Sequence, residues 1–322
     1  GVSDNPINIQ LNASDIPSID DIDGDGDLDI LVFRFSSAAT IEYHKNLSME
    51  NESSCDSLQF QRINQRYGDI EECGCGAYAF NGDSCPDNGG GRQEHQSGKA
   101  ITTLDADGDG VRELLIGEEE CSFISFLTND GTVDEADMNA ATVIYPTSSD
   151  PINIFLFPAV YYEDIDLDGV RDLIAAPNVP ANINFGVDFA NSSWYYRNTG
   201  TASNPTFEFV QRNFLQDQML DLGENAAPAF FDYDYDGDFD MFIGTMLSEV
   251  QSFQSTIKVF ENVGTISSPS FVLENDDLFG FSQSGFINIK PRFKDVDGDN
   301  IVDLAFTGTN ISTGVSALYY LK

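Results

Sequence analysis

A nine-residue acidic loop, Asp-x-Asp-x-Asp-Gly-x-x-Asp, constrains this chain more than any other feature. Its clearest copy lies in residues 231–244, FDYDYDGDFDMFIG, between two short apolar runs. Carboxylates at loop positions 1, 3, 5 and 9 can converge on one hard cation, and glycine at position 6 lets the backbone turn back sharply. Five copies begin at Asp21, Asp105, Asp164, Asp232 and Asp295. Three of the four intervals are roughly sixty to seventy residues, and the first is longer by roughly twenty, which marks a repeat architecture carrying one insertion.

Each period reads as four short strands. The first precedes the loop, at 15–19, 99–104, 157–162, 227–231 and 289–293. The second follows it, at 30–33, 114–117, 173–176, 241–244 and 304–307. Such short apolar runs bounded by turn residues suit buried strands. A third strand, rich in aromatics, is expected at 41–44, 123–127, 194–196, 257–260 and 317–321, and several copies end in Asn-x-Gly turns. A fourth alternates at 58–61, 141–145, 207–210 and 271–273. Its fifth copy is missing, and segment 6–11, Pro-Ile-Asn-Ile-Gln-Leu, offers a substitute. The expected fold is all-β: a single domain over 1–322, a β-propeller of five four-stranded blades whose ring is closed by the N-terminal strand.

The chain has 322 residues, 54 acidic against 15 basic, for a net charge of −39, yet 41% of it is hydrophobic. It can therefore bury a core, and its charge disfavours nucleic acid and anionic membrane while suiting divalent cations. No apolar run is long enough for a transmembrane helix, so the protein is not expected to span a membrane itself. Four of the five cysteines, Cys55, Cys73, Cys75 and Cys85, fall close together, and Cys121 follows. They point to a disulfide-stapled insertion at 64–96 and an oxidising compartment. A zinc knuckle is the rival reading, but Cys73-Gly74-Cys75 lacks the usual two-residue spacing and His95 is the one histidine nearby. In the expected blade order the turn holding Cys121 shares a face with the insertion, so pairing runs among Cys73, Cys75, Cys85 and Cys121 and leaves Cys55 over.

These loops and their flanking strands resemble the FG-GAP / VCBS repeat family, which includes the propeller of integrin α-chains and many secreted or surface bacterial proteins. Asp-Ile-Asp-Gly-Asp-Gly-Asp-Leu-Asp at 21–29 and Asn-Thr-Gly followed by Asn-Pro-Thr-Phe within 198–207 carry the likeness, and it extends over essentially the whole chain. The resemblance implies a propeller with Ca²⁺ between the first two strands of each blade, up to five structural ions, and no single biochemical activity. An EF-hand needs an acidic residue at loop position 12. Here that position holds Val32, Ile116, Ala175, Ile243 and Phe306, so the loop closes at position 9 and enters a strand.

Carried over residue by residue, the expected ligand loops are 21–29, 105–113, 164–172, 232–240 and 295–303. The first supplies Asp21, Asp23, Asp25 and Asp29, with the position-7 carbonyl of Asp27. The second supplies Asp105, Asp107, Asp109 and Glu113, with Val111. The third supplies Asp164, Asp166, Asp168 and Asp172, with Val170. The fourth supplies Asp232, Asp234, Asp236 and Asp240, with Asp238. The fifth supplies Asp295, Asp297, Asp299 and Asp303, with Ile301. Asn300 replaces glycine at position 6 of the fifth loop and requires a positive φ there.

Long irregular segments at 64–96, 178–193 and 246–256 fall on the face opposite the loops, where a partner site is expected. Residues 178–185 with Trp194, Tyr195 and Tyr196 are a candidate glycan platform, although those aromatics also suit a blade core. Asn-x-Ser sequons occur at Asn12, Asn46, Asn51, Asn191 and Asn310. No G-x-S-x-G, H-E-x-x-H or phosphate-loop motif is present, and the two histidines, His44 and His95, stand apart. The sequence thus reads as a non-catalytic, extracellular, calcium-stabilised module at the cell surface. Its expected partner is another surface protein or a glycan, or it serves as a subunit of a larger outer-membrane or surface complex. The alternative is an accessory or catalytic domain of a secreted polysaccharide-degrading enzyme.

Overall fold

The structure is a computed structural model and describes residues 8–36, 39–55, 58–86, 98–179, 186–249 and 252–322. Its described residues form an all-β protein of mostly four-stranded antiparallel sheets. The chain divides into two compact units, Gly1–Met219 and Leu220–Lys322.

The first unit holds three four-stranded sheets. Sheet one is β1 (Ser18–Asp20), β2 (Asp29–Phe33), β3 (Ile41–Asn46) and β4 (Phe60–Asn64), with a short helix α1 (Ser48–Glu52) between β3 and β4. A small hairpin follows, β5 (Glu71–Gly74) and β6 (Ala77–Ala79). Sheet two is β7 (Lys99–Leu104), β8 (Glu113–Glu118), β9 (Ile124–Asn129) and β10 (Met138–Thr142). Sheet three is β11 (Pro158–Glu163), β12 (Asp172–Pro177), β13 (Trp194–Asn198) and β14 (Phe207–Gln211). In each, strands pair with their sequence neighbours.

The second strands explain how these sheets stack. All six residues of β8 are buried. Leu114 and Ile116 point into a core shared with sheet one, which includes Leu31, Phe33, Ile41 and Tyr43. Leu115 points the other way, into a core with Leu173, Ala175, Trp194 and Tyr196 of sheet three. A strand apolar on both faces belongs between two layers, which is why its sequence does not alternate. Gly117 permits the closest approach, because a Cβ there would lie 1.8 Å from the carbonyl oxygen of Pro158 on β11.

The second unit holds β15 (Glu224–Phe231), β16 (Asp240–Glu249), β17 (Ser252–Asn262) and β18 (Phe271–Asn275) in one sheet, then β19 (Phe286–Lys294), β20 (Asp303–Asn310) and β21 (Ser316–Leu321). Phe242, Ile257, Val259, Ile289, Leu304 and Phe306 fill the core between them. Gly244 repeats the role of Gly117, since its Cβ would meet the Ile289 carbonyl oxygen at 2.1 Å.

Several expectations shift. The irregular turn expected over 246–256 is a continuation of the hairpin, paired from Met246 with Ser255 out to Glu249 with Ser252. The fourth strand of sheet two starts at Met138, ahead of the expected 141–145, because Tyr145 leaves the sheet to stack on Phe126 at 4.7 Å. Sheet β19–β21 has three strands among the described residues. Residues 8–11, expected to complete it, carry no strand, and the start of that segment lies outside the described residues. No helix among the described residues is long and apolar enough to cross a membrane, which says nothing of strands.

The cysteines pair as Cys73–Cys85 and Cys75–Cys121, and Cys55 is free and exposed. The second bond links the β5–β6 turn to the β8–β9 turn, so this hairpin sits at the end of sheet two away from its acidic loop. Residues 87–97, including His95, lie outside the described residues, as do 180–185 of the candidate glycan platform. Trp194, Tyr195 and Tyr196 are buried as core.

Candidate metal centres

All five acidic loops join the first and second strands of a sheet: β1 to β2, β7 to β8, β11 to β12, β15 to β16 and β19 to β20. Their backbones follow one plan. The position-3 carboxylate accepts from the amide of position 5, as Asp23 does from Asp25, Asp107 from Asp109, Asp166 from Asp168, Asp234 from Asp236 and Asp297 from Asp299. The position-5 carboxylate likewise accepts from position 7, as in Asp109 with Val111 at 2.7 Å and Asp299 with Ile301 at 2.8 Å. Position 1 accepts from position 6 in Asp21, Asp105, Asp164 and Asp295. Carboxylates that bond backward onto their own turn are held in one place before any ligand arrives.

Position 6 has positive φ throughout: Gly26, Gly110, Gly169, Gly237 and Asn300, the last at 67°. Asparagine meets the expected requirement. Position 4 also has positive φ, and there the third and fourth loops carry Leu167 at 61° and Tyr235 at 63°. A left-handed leucine or tyrosine is uncommon and marks local strain. The sequence pattern does not reveal it, because glycine at position 4 in three copies is easily taken for a spacer.

Oxygens from three carboxylates come within 4.8 Å of one another at Asp21, Asp23 and Asp25, at Asp105, Asp107 and Glu113, at Asp164, Asp166 and Asp172, and at Asp232, Asp234 and Asp236. Asp21 Oδ1, Asp25 Oδ2 and Asp232 Oδ1 are buried atoms with no hydrogen-bond donor. A buried acceptor left bare is costly. Hard oxygen donors at this spacing suit Ca²⁺, so the residues present fit such an ion.

Position 9 behaves differently from positions 1, 3 and 5. Its carboxylate is buried and works as a latch across the sheet. Asp29 accepts from the amides of Ile22 and Asn46 and from the Tyr43 hydroxyl. Asp172 repeats this with Ile165, Asn198 and Tyr195. Asp240 accepts from Tyr233 and Asn262, Asp303 from Val296, and Glu113 from Ala106. Burial lifts the Asp29 carboxyl to about 6. It lifts Glu113 to about 7, with the neighbouring Asp107, Asp109 and Asp105 adding to the effect.

The asparagine closing the third strand is the residue that sequence reading missed. The Asn198 side chain accepts from Gly200 and Thr206 in the next turn and donates to the Arg171 carbonyl at loop position 8. Asn129 does the same with Gly131, Asp137 and the Arg112 carbonyl. Asn262 clamps Gly264 and Ser270. Asn-x-Gly is therefore a strut between turn and loop as well as a turn signal. Asn46, at the same place in sheet one, is buried and accepts from Gln59, which removes it as an accessible sequon in the folded state.

Position 7 contributes side chains in two loops. Asp27 Oδ2 accepts from the Ser48 hydroxyl and the Met49 amide, fixing the start of α1. Asp238 is buried and its Oδ1 has no donor. Arg112, at position 8, donates to the Asp21 carbonyl at 3.0 Å and lies 3.4 Å from Asp20, which Arg171 also approaches at 3.6 Å.

No family model matches the chain, and no curated protein matches it. Among solved structures, a lectin from Agrocybe aegerita, determined for its recognition of non-reducing terminal N-acetylglucosamine, aligns with 96% of this chain and 66% of its own, at 13% identity and a TM-score of 0.32. Likeness at that level assigns neither fold nor ligand here.

Proposed function

We propose that this protein is a non-catalytic, calcium-stabilised binding module of the FG-GAP / VCBS type, a five-bladed propeller working outside the cell against another surface protein or a glycan. The observation that carries the reading is the bare, buried carboxylate oxygens of Asp21, Asp25 and Asp232 inside loops that share one backbone plan. A calcium ion at such a loop would supply the missing positive charge and tie the first strand of the sheet to the second. The two disulfides support an oxidising location.

Thermal unfolding with and without calcium tests the metal. Ligand present at a hundred times its dissociation constant adds about 2.7 kcal/mol per site. Melting curves that coincide in calcium and in EDTA would remove calcium from this account. The partner is tested by pull-down from the source membrane or medium with and without EDTA, and small-angle scattering tests the closed ring.

A further inference from the structure

The five loops are alike along the chain but not across it. The strand ladders place one third-strand residue beside each loop in a fixed register. Loop position 10 pairs with His44, Leu127, Tyr196, Phe260 and Leu321 in turn. The residue after that partner is Lys45, Thr128, Arg197, Glu261 or Lys322, and Lys45, Arg197 and Lys322 reach the position-3 carboxylate of their loop.

Three of these are cations already engaged with the loop. Lys45 Nζ contacts Asp23 and Glu50. Arg197 lies 2.8 Å from Asp166 and 3.5 Å from Asp168. Lys322 contacts Asp297. Thr128 is neutral and lines a cavity of about 300 Å³ together with Asp107 and Glu113. Glu261 is the reverse of a counter-ion: it stands on β17 between Phe260, which pairs with Met241, and Asn262, whose amide donates to Asp240 Oδ1, so it brings a further carboxylate to this end of the ladder. Loop 21–29 also has an added carboxylate, Glu50, but Lys45 bridges it to Asp23; loop 232–240, with five aspartates and Glu261 in place of a cation, is the most negative of the five.

We propose that this third-strand residue ranks the loops by affinity for a divalent cation. Glu261 makes 232–240 the tightest site, and Thr128 leaves 105–113 intermediate. Lys45, Arg197 and Lys322 weaken the other three by occupying the position-3 carboxylate with a tethered charge. The ranking rests on the calcium reading above. A tethered ammonium or guanidinium partly neutralises its loop without an ion, whereas the loop beside Glu261 has no internal substitute. An incoming Ca²⁺ must displace the cation or sit beside it, and repulsion at such distances survives even in a high dielectric.

Calorimetric titration of the whole protein with CaCl₂ tests the ranking. Wild type should bind in distinct affinity classes. Glu261→Lys should remove one equivalent from the tightest class. Arg197→Gln, at a half-exposed side chain whose loss does not threaten folding, should tighten one weak site by roughly tenfold or more. Isotherms of both variants that superimpose on wild type would overturn the ranking and leave calcium binding intact. A wild-type protein that takes up no calcium would overturn the calcium reading and the ranking together.

Discussion

Lys99 Nζ lies 2.7 Å from Glu72 Oε2, and this contact ties the cysteine hairpin to the second sheet. Glu118 completes the cluster at 2.8 Å, and all three side chains are buried. Burial works against the lysine charge, but the two carboxylates outweigh it and hold the ammonium protonated. The Cys75–Cys121 disulfide starts beside the same spot, so a covalent link and a buried ion cluster fasten one joint. Replacing the lysine leaves two buried carboxylates facing each other without their counter-charge. Lys99→Met should cost about 3–5 kcal/mol. Trp194, the one tryptophan, lies in the same unit, so its fluorescence during urea unfolding reads the loss.

Leu167 stands in a left-handed conformation and is almost fully exposed. Glycine there would relieve strain and forfeit little packing. The gain should be about 0.5–1 kcal/mol, after subtracting glycine's greater freedom in the unfolded chain. Leu167→Gly is thus expected to raise the melting temperature, as measured by scanning calorimetry in EDTA.

Asp240 and Asp236 belong to one loop but should fail differently. Asp240 satisfies the amides of Tyr233 and Asn262 from a buried position, so Asp240→Ala strands two donors at about 1–3 kcal/mol each. Asp236 is exposed, and asparagine still accepts from the Asp238 amide. In chelator, Asp240→Ala should melt well below wild type and Asp236→Asn close to it. In calcium, both should respond less than wild type. Paired melting curves separate the latch from the ligand.

In chelator, acidity should stabilise the protein. Asp29 and Glu113 are lifted to about 6 and about 7, above the values of an unfolded chain. Between about pH 4 and 7 the folded state keeps protons that the unfolded state has released, so stability falls as pH rises through that window. Relief of the −39 net charge acts in the same direction. The melting temperature in EDTA is expected to be higher at pH 5.5 than at pH 7.5. Calcium should shrink or reverse the difference, because it favours the ionised carboxylates.

The acidic loops and their place between first and second strands were legible because each depends on chemistry written locally; blade order gave the four cysteines that pair, but not which partner each takes. Carboxylates at alternate positions and glycine at a bend need no knowledge of the rest of the fold. The strained position 4 was hidden because Leu167 and Tyr235 are residues that ordinarily avoid left-handed backbone. The asparagine strut was hidden because its partners are distributed over a turn and a neighbouring loop. The long β16–β17 hairpin was hidden because its extension is fixed by cross-strand pairing, from Met246 with Ser255 to Glu249 with Ser252, which no single stretch of sequence displays. What each third-strand neighbour does to its loop is readable only once the ladder register is known.

Asp20 ends β1 and accepts from Thr103 on sheet two, while Arg112 and Arg171, from the second and third loops, both converge on it. The first three repeats are consequently not interchangeable parts. Swapping their order, duplicating one or excising one would leave a guanidinium facing nothing or a carboxylate without its counter-charge. A chain that looks like one motif copied several times has acquired an address for each copy, and shuffling should defeat it sooner than point substitution in any single loop.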